Sequence, residues 1–142
     1  MIRHFGGGVF ATVMDSYDYE RALAEVIPAV AAEQVEAGGF WVLRPDSGDP
    51  TDAVVAALEA ADRAFGSDIN AKGFRVPRGV GVIQGDGIQY PVLREILAAV
   101  LARGYSAEVR GHFHPAGERE EGRAGSRLGA CLAVPAGVRA VA

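Results

Sequence analysis

At 142 residues, with 49% apolar residues and a net charge of −4, the chain has the length of one domain with its own core, short of the about 200–250 residues of a complete β/α barrel. No apolar run approaches the roughly 20 residues of a membrane span, and Met1 to Phe5 followed by three glycines is not a secretory leader, so no membrane partner is expected. The acidic balance argues against a nucleic-acid partner, while a single cysteine, Cys131, excludes an intramolecular disulfide and a cysteine-based zinc site and fits a reducing, cytoplasmic compartment.

Val9 to Met14 reads as a buried strand, apolar without alternation, as strands of a parallel sheet are. Tyr19, Leu23, Val26, Ile27 and Val30 then recur at helical spacing, opposite Glu20, Arg21, Glu25 and Glu33. Pro28 predicts a kink there or a division into two shorter helices, and Gly38-Gly39 a stop. Phe40 to Leu43 is a second strand, ending at Arg44. The segment from Ser47 to Asp52 is a helix entry, with acids in the first turn and Pro50 close to the start. Val54, Val55, Leu58, Ala61 and Phe65 form the second apolar stripe, closed by Gly66. Residues 67–78 read as a loop. Val80 to Ile83 is the third strand. Tyr90-Pro91 opens a third helix striped by Val92, Ile96, Leu97, Val100 and Leu101 and ended by Gly104. Strand and helix alternate three times, which predicts an α/β fold with a parallel sheet and right-handed crossovers. Residues 109–142, with five arginines and no helical or strand period, read as an irregular tail. The expected division is therefore 1–108 and 109–142.

Each strand ends in a carboxylate beside Ser, Gly or Pro: Asp15-Ser16-Tyr17-Asp18, Arg44-Pro45-Asp46-Ser47-Gly48 and Ile83-Gln84-Gly85-Asp86-Gly87. In a parallel α/β sheet these are the carboxyl ends of the strands, where such folds bind ligands. Three acids there, one accompanied by Arg44, describe a site for a polar anionic ligand. Plainer readings stand beside this one. A strand-end aspartate is often a helix N-cap, the better reading for Asp18, and Arg44 could form an ion pair within the sheet. Gly6-Gly7-Gly8 precedes a strand and so does not match a dinucleotide-binding loop. Ser16 and Ser47 lack a histidine partner for a hydrolase triad. His112, His114 and Cys131 lack the spacing of a metal site.

In order and spacing, with Asp15 and Asp46 31 residues apart and Asp46 and Asp86 40 apart, the three segments resemble those of nicotinamide phosphoribosyltransferases, and Lys72-Gly73-Phe74 adds to the likeness. The resemblance covers residues 1–108. It implies part of an irregular α/β barrel of a type II phosphoribosyltransferase, a homodimer with sites at the subunit interface, and the joining of nicotinamide to the ribosyl group of phosphoribosyl pyrophosphate with Mg²⁺, giving nicotinamide mononucleotide and pyrophosphate for NAD synthesis. It also implies that Arg44, Pro45, Asp46, Gly85 and Asp86 bind substrate. The residues suit that chemistry. Arg44 can make paired hydrogen bonds to a phosphate. Asp46 and Asp86 can accept from ribose hydroxyls and stabilise an oxocarbenium-like ring, and Gly85 and Gly87 let the backbone approach the sugar. Asp15, the catalytic candidate, can hold Mg²⁺ directly or through water.

The family's catalytic histidine, its amide-reading aspartate and further arginines would precede Met1, and its glycine-rich loop is replaced after Glu108 by Val109-Arg110-Gly111-His112-Phe113-His114-Pro115. The expectation is therefore an internal start at Met1, a tail translated from a retained intron or a shifted frame, and an incomplete, inactive fragment. The alternative is a non-catalytic truncated subunit, or an interaction partner of a full-length homologue.

Overall fold

The structure is a computed structural model that describes residues 1–85 and 88–107. Asp86, Gly87 and the expected irregular tail over 109–142, with His112, His114 and Cys131, lie outside the described residues. Three strands, β1 (Val9–Val13), β2 (Phe40–Arg44) and β5 (Val80–Val82), form one parallel sheet in the order β1-β2-β5. The alternation of strand and helix thus yields the parallel α/β arrangement expected of it. Among the described residues no helix is long and apolar enough to cross a membrane.

A short α1 (Ile2–Phe5) precedes β1. After β1, α2 (Tyr19–Arg21) starts at Asp18, whose side chain accepts from the Arg21 amide at 2.9 Å, so Asp18 is the N-cap. The helix then widens into a π turn over Ala22–Val26 before α3 (Ile27–Ala37) begins with Pro28 in its first turn. The ring of Pro28 would strike the carbonyl four residues back in an unbroken α-helix. The wider turn relieves this, and the Ile27 amide donates to the Ala22 carbonyl instead. Gly38, at φ 76°, closes α3 in the left-handed conformation.

The helix α4 (Pro50–Phe65) is capped by Asp49, whose carboxylate accepts from the amides of Thr51 (2.9 Å) and Asp52 (3.0 Å). The core lies between the helices and one sheet face, where Phe10, Met14, Trp41, Leu43 and Val80 meet Leu23, Ile27 and Ala31 of the first helical segment and Ala57, Ala61 and Phe65 of α4. Phe10 stacks on Trp41 at 6.0 Å, and Phe65 meets the indole edge-on. The last helix among the described residues, α5 (Tyr90–Ala102), packs Ile96 and Val100 against Val54 and Leu58 of α4.

The expected loop over 67–78 is a correction. It contains an antiparallel hairpin of β3 (Ser67–Ile69) and β4 (Arg75–Pro77), with Asp68 opposite Val76. Asn70 organises the turn, its side-chain oxygen accepting from the amides of Lys72 (3.0 Å) and Phe74 (2.9 Å). Gly73 supplies the positive φ of 84°. The hairpin is tied to α4 through Asp62, which accepts from the Ser67 hydroxyl (2.5 Å), the Arg75 guanidinium (2.7 Å) and the Tyr105 hydroxyl (3.0 Å). Arg75 also donates to the Arg103 carbonyl at 2.7 Å and lies 4.2 Å over the Tyr105 ring. Burial works against the Asp62 charge, but the Ser67 and Tyr105 hydroxyls and the Arg75 guanidinium outweigh it and hold this carboxyl below the usual range.

Asp62→Ala is expected to cost about 2 kcal/mol in urea unfolding, since it leaves three donors unpaired while Arg75 stays half open to water and its share is screened. Because folding lowers the Asp62 pKa, its contribution is complete above about pH 4 and fades as pH falls through the acidic range. The difference between wild type and Asp62→Ala should therefore shrink on acidification.

Candidate functional site

The parallel ladder brings the ends of β1 and β2 side by side: Val13 is in register with Arg44, and the Met14 amide donates to the Arg44 carbonyl at 3.0 Å. Beyond that point the chains are joined through Asp15. One oxygen of its carboxylate accepts from the Asp46 amide at 2.8 Å and from the Ser47 hydroxyl at 2.5 Å. Burial opposes the charge on Asp15, but these bonds and further backbone donors prevail and hold its carboxyl below the usual aspartate range. Tyr19, at the start of α2, donates to the Ala53 carbonyl at 2.6 Å. Burial and the Asp15 charge push its hydroxyl up to about 12.

Arg44 extends from the end of β2 and donates to the Asp46 carboxylate at 2.8 Å, both side chains remaining partly open to water. Pro45, between them, is fully buried and fixes the turn from below. The Ile83 amide donates to the Leu43 carbonyl at 3.0 Å, which aligns the end of β5 with the end of β2. Gln84 is buried there, its side-chain oxygen accepting no hydrogen bond. Gly85 follows, and a Cβ built on it would meet nothing within 4 Å, so this backbone is open to close approach.

The structure thus gathers Asp15, Arg44, Pro45 and Asp46 at one edge of the sheet, with Gly85 on the neighbouring strand end; Asp86 lies outside the described residues. Two features escaped the sequence reading. Ser47, expected only as part of the strand-end segment and the helix entry, enters as the donor that fixes Asp15. Gln84 enters as a buried polar side chain, for which a single strand-end glutamine gives no signal. Among the described residues no three His, Cys, Asp or Glu side chains cluster as metal ligands, and one oxygen of Asp15 is engaged by the loop. A divalent cation here would need most of its oxygens from a ligand or water.

Removing the Asp15 acceptor, as in Asp15→Ala, is expected to raise hydrogen exchange at the Asp46 amide by about tenfold or more, the worth of one charge-assisted bond. The lowered pKa means that the link persists through neutral pH and is released only below the ordinary carboxylate range. Unchanged exchange in the variant would show that Pro45 alone holds the turn.

Residues 18–109, more than half of the chain, match the model of the nicotinate phosphoribosyltransferase (NAPRTase) family. The chain belongs to that family. This NAPRTase-family chain is 47% identical over 103 residues to a nicotinamide phosphoribosyltransferase of Xanthomonas campestris pv. campestris, covering 72% of this chain and 22% of that one. It is 29% identical over 119 residues to the nicotinamide phosphoribosyltransferase of Mycoplasma pneumoniae and 30% identical over 118 residues to that of Mycoplasma genitalium, covering 74% of this chain and 26% of each relative. The chain therefore spans about a quarter of the length of the curated relatives it matches. The NAPRTase match contains the Arg44-to-Gly48 and Ile83-to-Gly87 segments, and Asp15 lies three residues before it.

Proposed function

We propose that the chain carries the ribose- and phosphate-facing part of a nicotinamide phosphoribosyltransferase site. The observation that carries this reading is the turn after β2, where Arg44 and Asp46 stand paired at a strand end and Asp15 of the neighbouring strand fixes their backbone. Phosphoribosyl pyrophosphate enters as its Mg²⁺ complex. Arg44 turns its guanidinium to a phosphate and releases Asp46, which accepts from ribose hydroxyls together with Asp86. The pairing keeps both charges satisfied until substrate supplies better partners. As the nicotinamide nitrogen forms its bond to the ribosyl carbon, the bond to pyrophosphate breaks, and positive charge grows on the ring beside the two carboxylates. Gly85 leaves room for the sugar.

The same reading takes the three strands as part of an irregular α/β barrel, in a cytoplasmic enzyme of NAD synthesis that works as a homodimer. The names of the relatives favour nicotinamide over nicotinate. As a chain that spans about a quarter of its relatives' length, it binds phosphoribosyl pyrophosphate without turnover, and formation of nicotinamide mononucleotide by the purified chain would overturn that part.

The test is calorimetric titration with phosphoribosyl pyrophosphate and Mg²⁺. Binding by the wild type, lost in Arg44→Ala and in Asp86→Ala, is the expected result. A folded wild-type chain that binds none would end the reading.

A further inference from the structure

Asp46 and Ser47 are both exposed, so no packing around them holds the Asp46 carboxylate in one direction. Hydrogen bonds do. The same oxygen of Asp15 accepts from the Asp46 amide at 2.8 Å and from the Ser47 hydroxyl at 2.5 Å. The first bond fixes the peptide before Asp46, and the second fixes the residue after it. The Cα of Asp46 is thereby gripped from both sides by one atom of the neighbouring strand end. Buried Pro45, with its locked φ, restrains the approach from β2. Gly48, at φ 82°, then turns the chain into Asp49, the cap of α4. Ser47 stands between two anchors, the end of β1 and the first turn of α4, and its hydroxyl ties the second to the first.

We propose that Ser47 is a positioning residue of the phosphoribosyl pyrophosphate site: its hydroxyl, acting through Asp15, sets the direction in which Asp46 and its partner Arg44 meet the substrate. This role rests on the substrate-facing reading of Arg44 and Asp46, and it belongs to a residue that touches no reacting atom. A ligand that needs both side chains in one geometry binds at lower entropic cost when that geometry exists before it arrives. Both bonds to Asp15 are charge-assisted. The carboxyl held below its usual range keeps the acceptor ionised through neutral pH, so the grip persists under the conditions of binding. With the Asp46 amide alone bonded, rotation about the backbone of Asp46 would swing its carboxylate away from Arg44. A part in folding alone predicts something different. Ser47 is exposed and Asp15 only half-buried, so water can replace the lost hydroxyl and the stability changes little. What changes is the aim of the neighbouring side chains.

The test measures phosphoribosyl pyrophosphate binding with Mg²⁺ by calorimetry, for the 142-residue chain and for Ser47→Ala, Ser47→Thr, Asp46→Ala and the Asp46→Ala, Ser47→Ala double variant. Ser47→Ala is expected to bind about tenfold more weakly while its urea midpoint stays near that of the wild type. Ser47→Thr keeps the hydroxyl and should recover most of the loss. In the Asp46→Ala background, removing the hydroxyl should cost little more, because a residue that works by aiming Asp46 has nothing left to aim. In the ligand-free chain, NMR coupling constants should show one Asp46 side-chain rotamer in the wild type and averaged rotamers in Ser47→Ala. Unchanged affinity or an unchanged single rotamer in Ser47→Ala, no recovery in Ser47→Thr, or equal costs with and without Asp46 would each overturn the proposal. Any of these in a wild type that binds, with binding lost in Arg44→Ala, would leave the functional reading standing. A folded wild type that binds none would overturn both.

Discussion

Gly39→Ala is expected to remove much of the stability of this fold, about 3 kcal/mol or more of the roughly 5–15 kcal/mol typical of a domain. A Cβ on Gly39 would lie 2.1 Å from the Gly6 carbonyl oxygen and 2.3 Å from that of Gly8. Both neighbours are backbone, so no side chain can swing away. The contact sits where β1 and β2 begin to pair, with the Phe40 amide donating to the Gly8 carbonyl at 2.8 Å. Moving Gly6 to Gly8 outward would break that bond and disturb the register of Val9 with Phe40. Gly8→Ala is the control, because its Cβ would meet nothing closer than 3.7 Å, and its urea midpoint should stay close to that of the wild type. Equal midpoints for the two variants would show that the glycine contact is not what sets the spacing of the strands.

For Arg44→Ala, binding of phosphoribosyl pyrophosphate should weaken by about 100-fold in calorimetry, corresponding to about 2.7 kcal/mol and to the loss of a paired, charge-assisted contact. The variant also leaves Asp46 without its 2.8 Å partner, adding an uncompensated carboxylate beside an incoming phosphate. Both effects act in one direction. Arg44→Lys keeps the charge but cannot offer two parallel donors, so it should recover only part of the loss. Stability should change little in either variant, since the Arg44–Asp46 pair is water-exposed and such pairs contribute little. Wild-type affinity in Arg44→Ala would mean that the pair serves the turn alone.

The parts of the fold legible in the sequence are those with a period. Val9 to Val13 and Phe40 to Leu43 are continuous apolar runs, and Leu58, Ala61 and Phe65 recur at helical spacing, so strands and helices fall within a residue or two of their expected places. The hairpin was not legible, because β3 and β4 are three residues each and mix Asp, Arg and Pro with Ile and Val. Nothing that short carries a period. Leu101 belongs to the expected stripe of α5 yet is 42% exposed, because helical spacing marks a face without stating how far its cover extends. Pro28 announced a break, but not that the break would be a π turn before the proline. At the candidate site, the three segments could be read as strand ends, and the relatives support the resemblance drawn from them. The bonds from Asp46 and Ser47 to Asp15 could not be read, being tertiary contacts across more than thirty residues. For Arg44 the sequence favours the phosphate role over an ion pair within the sheet, and the structure pairs it with Asp46 in the turn beyond β2.

The cluster at Asp62 has a consequence for how the chain opens. It ties α4 to Tyr105, 43 residues later, and Arg75 of the hairpin is held between them, while Arg103 pairs with Glu59 on the same side. The last turn of α5 would otherwise fray as an independent end, but here its release also frees the hairpin and the far end of α4. The far end of α4, the hairpin and the last turn of α5 are therefore expected to open together, as one sub-global event. Slow exchange in α5 accordingly measures the free energy of that whole closure, and the helix by itself contributes only part of it.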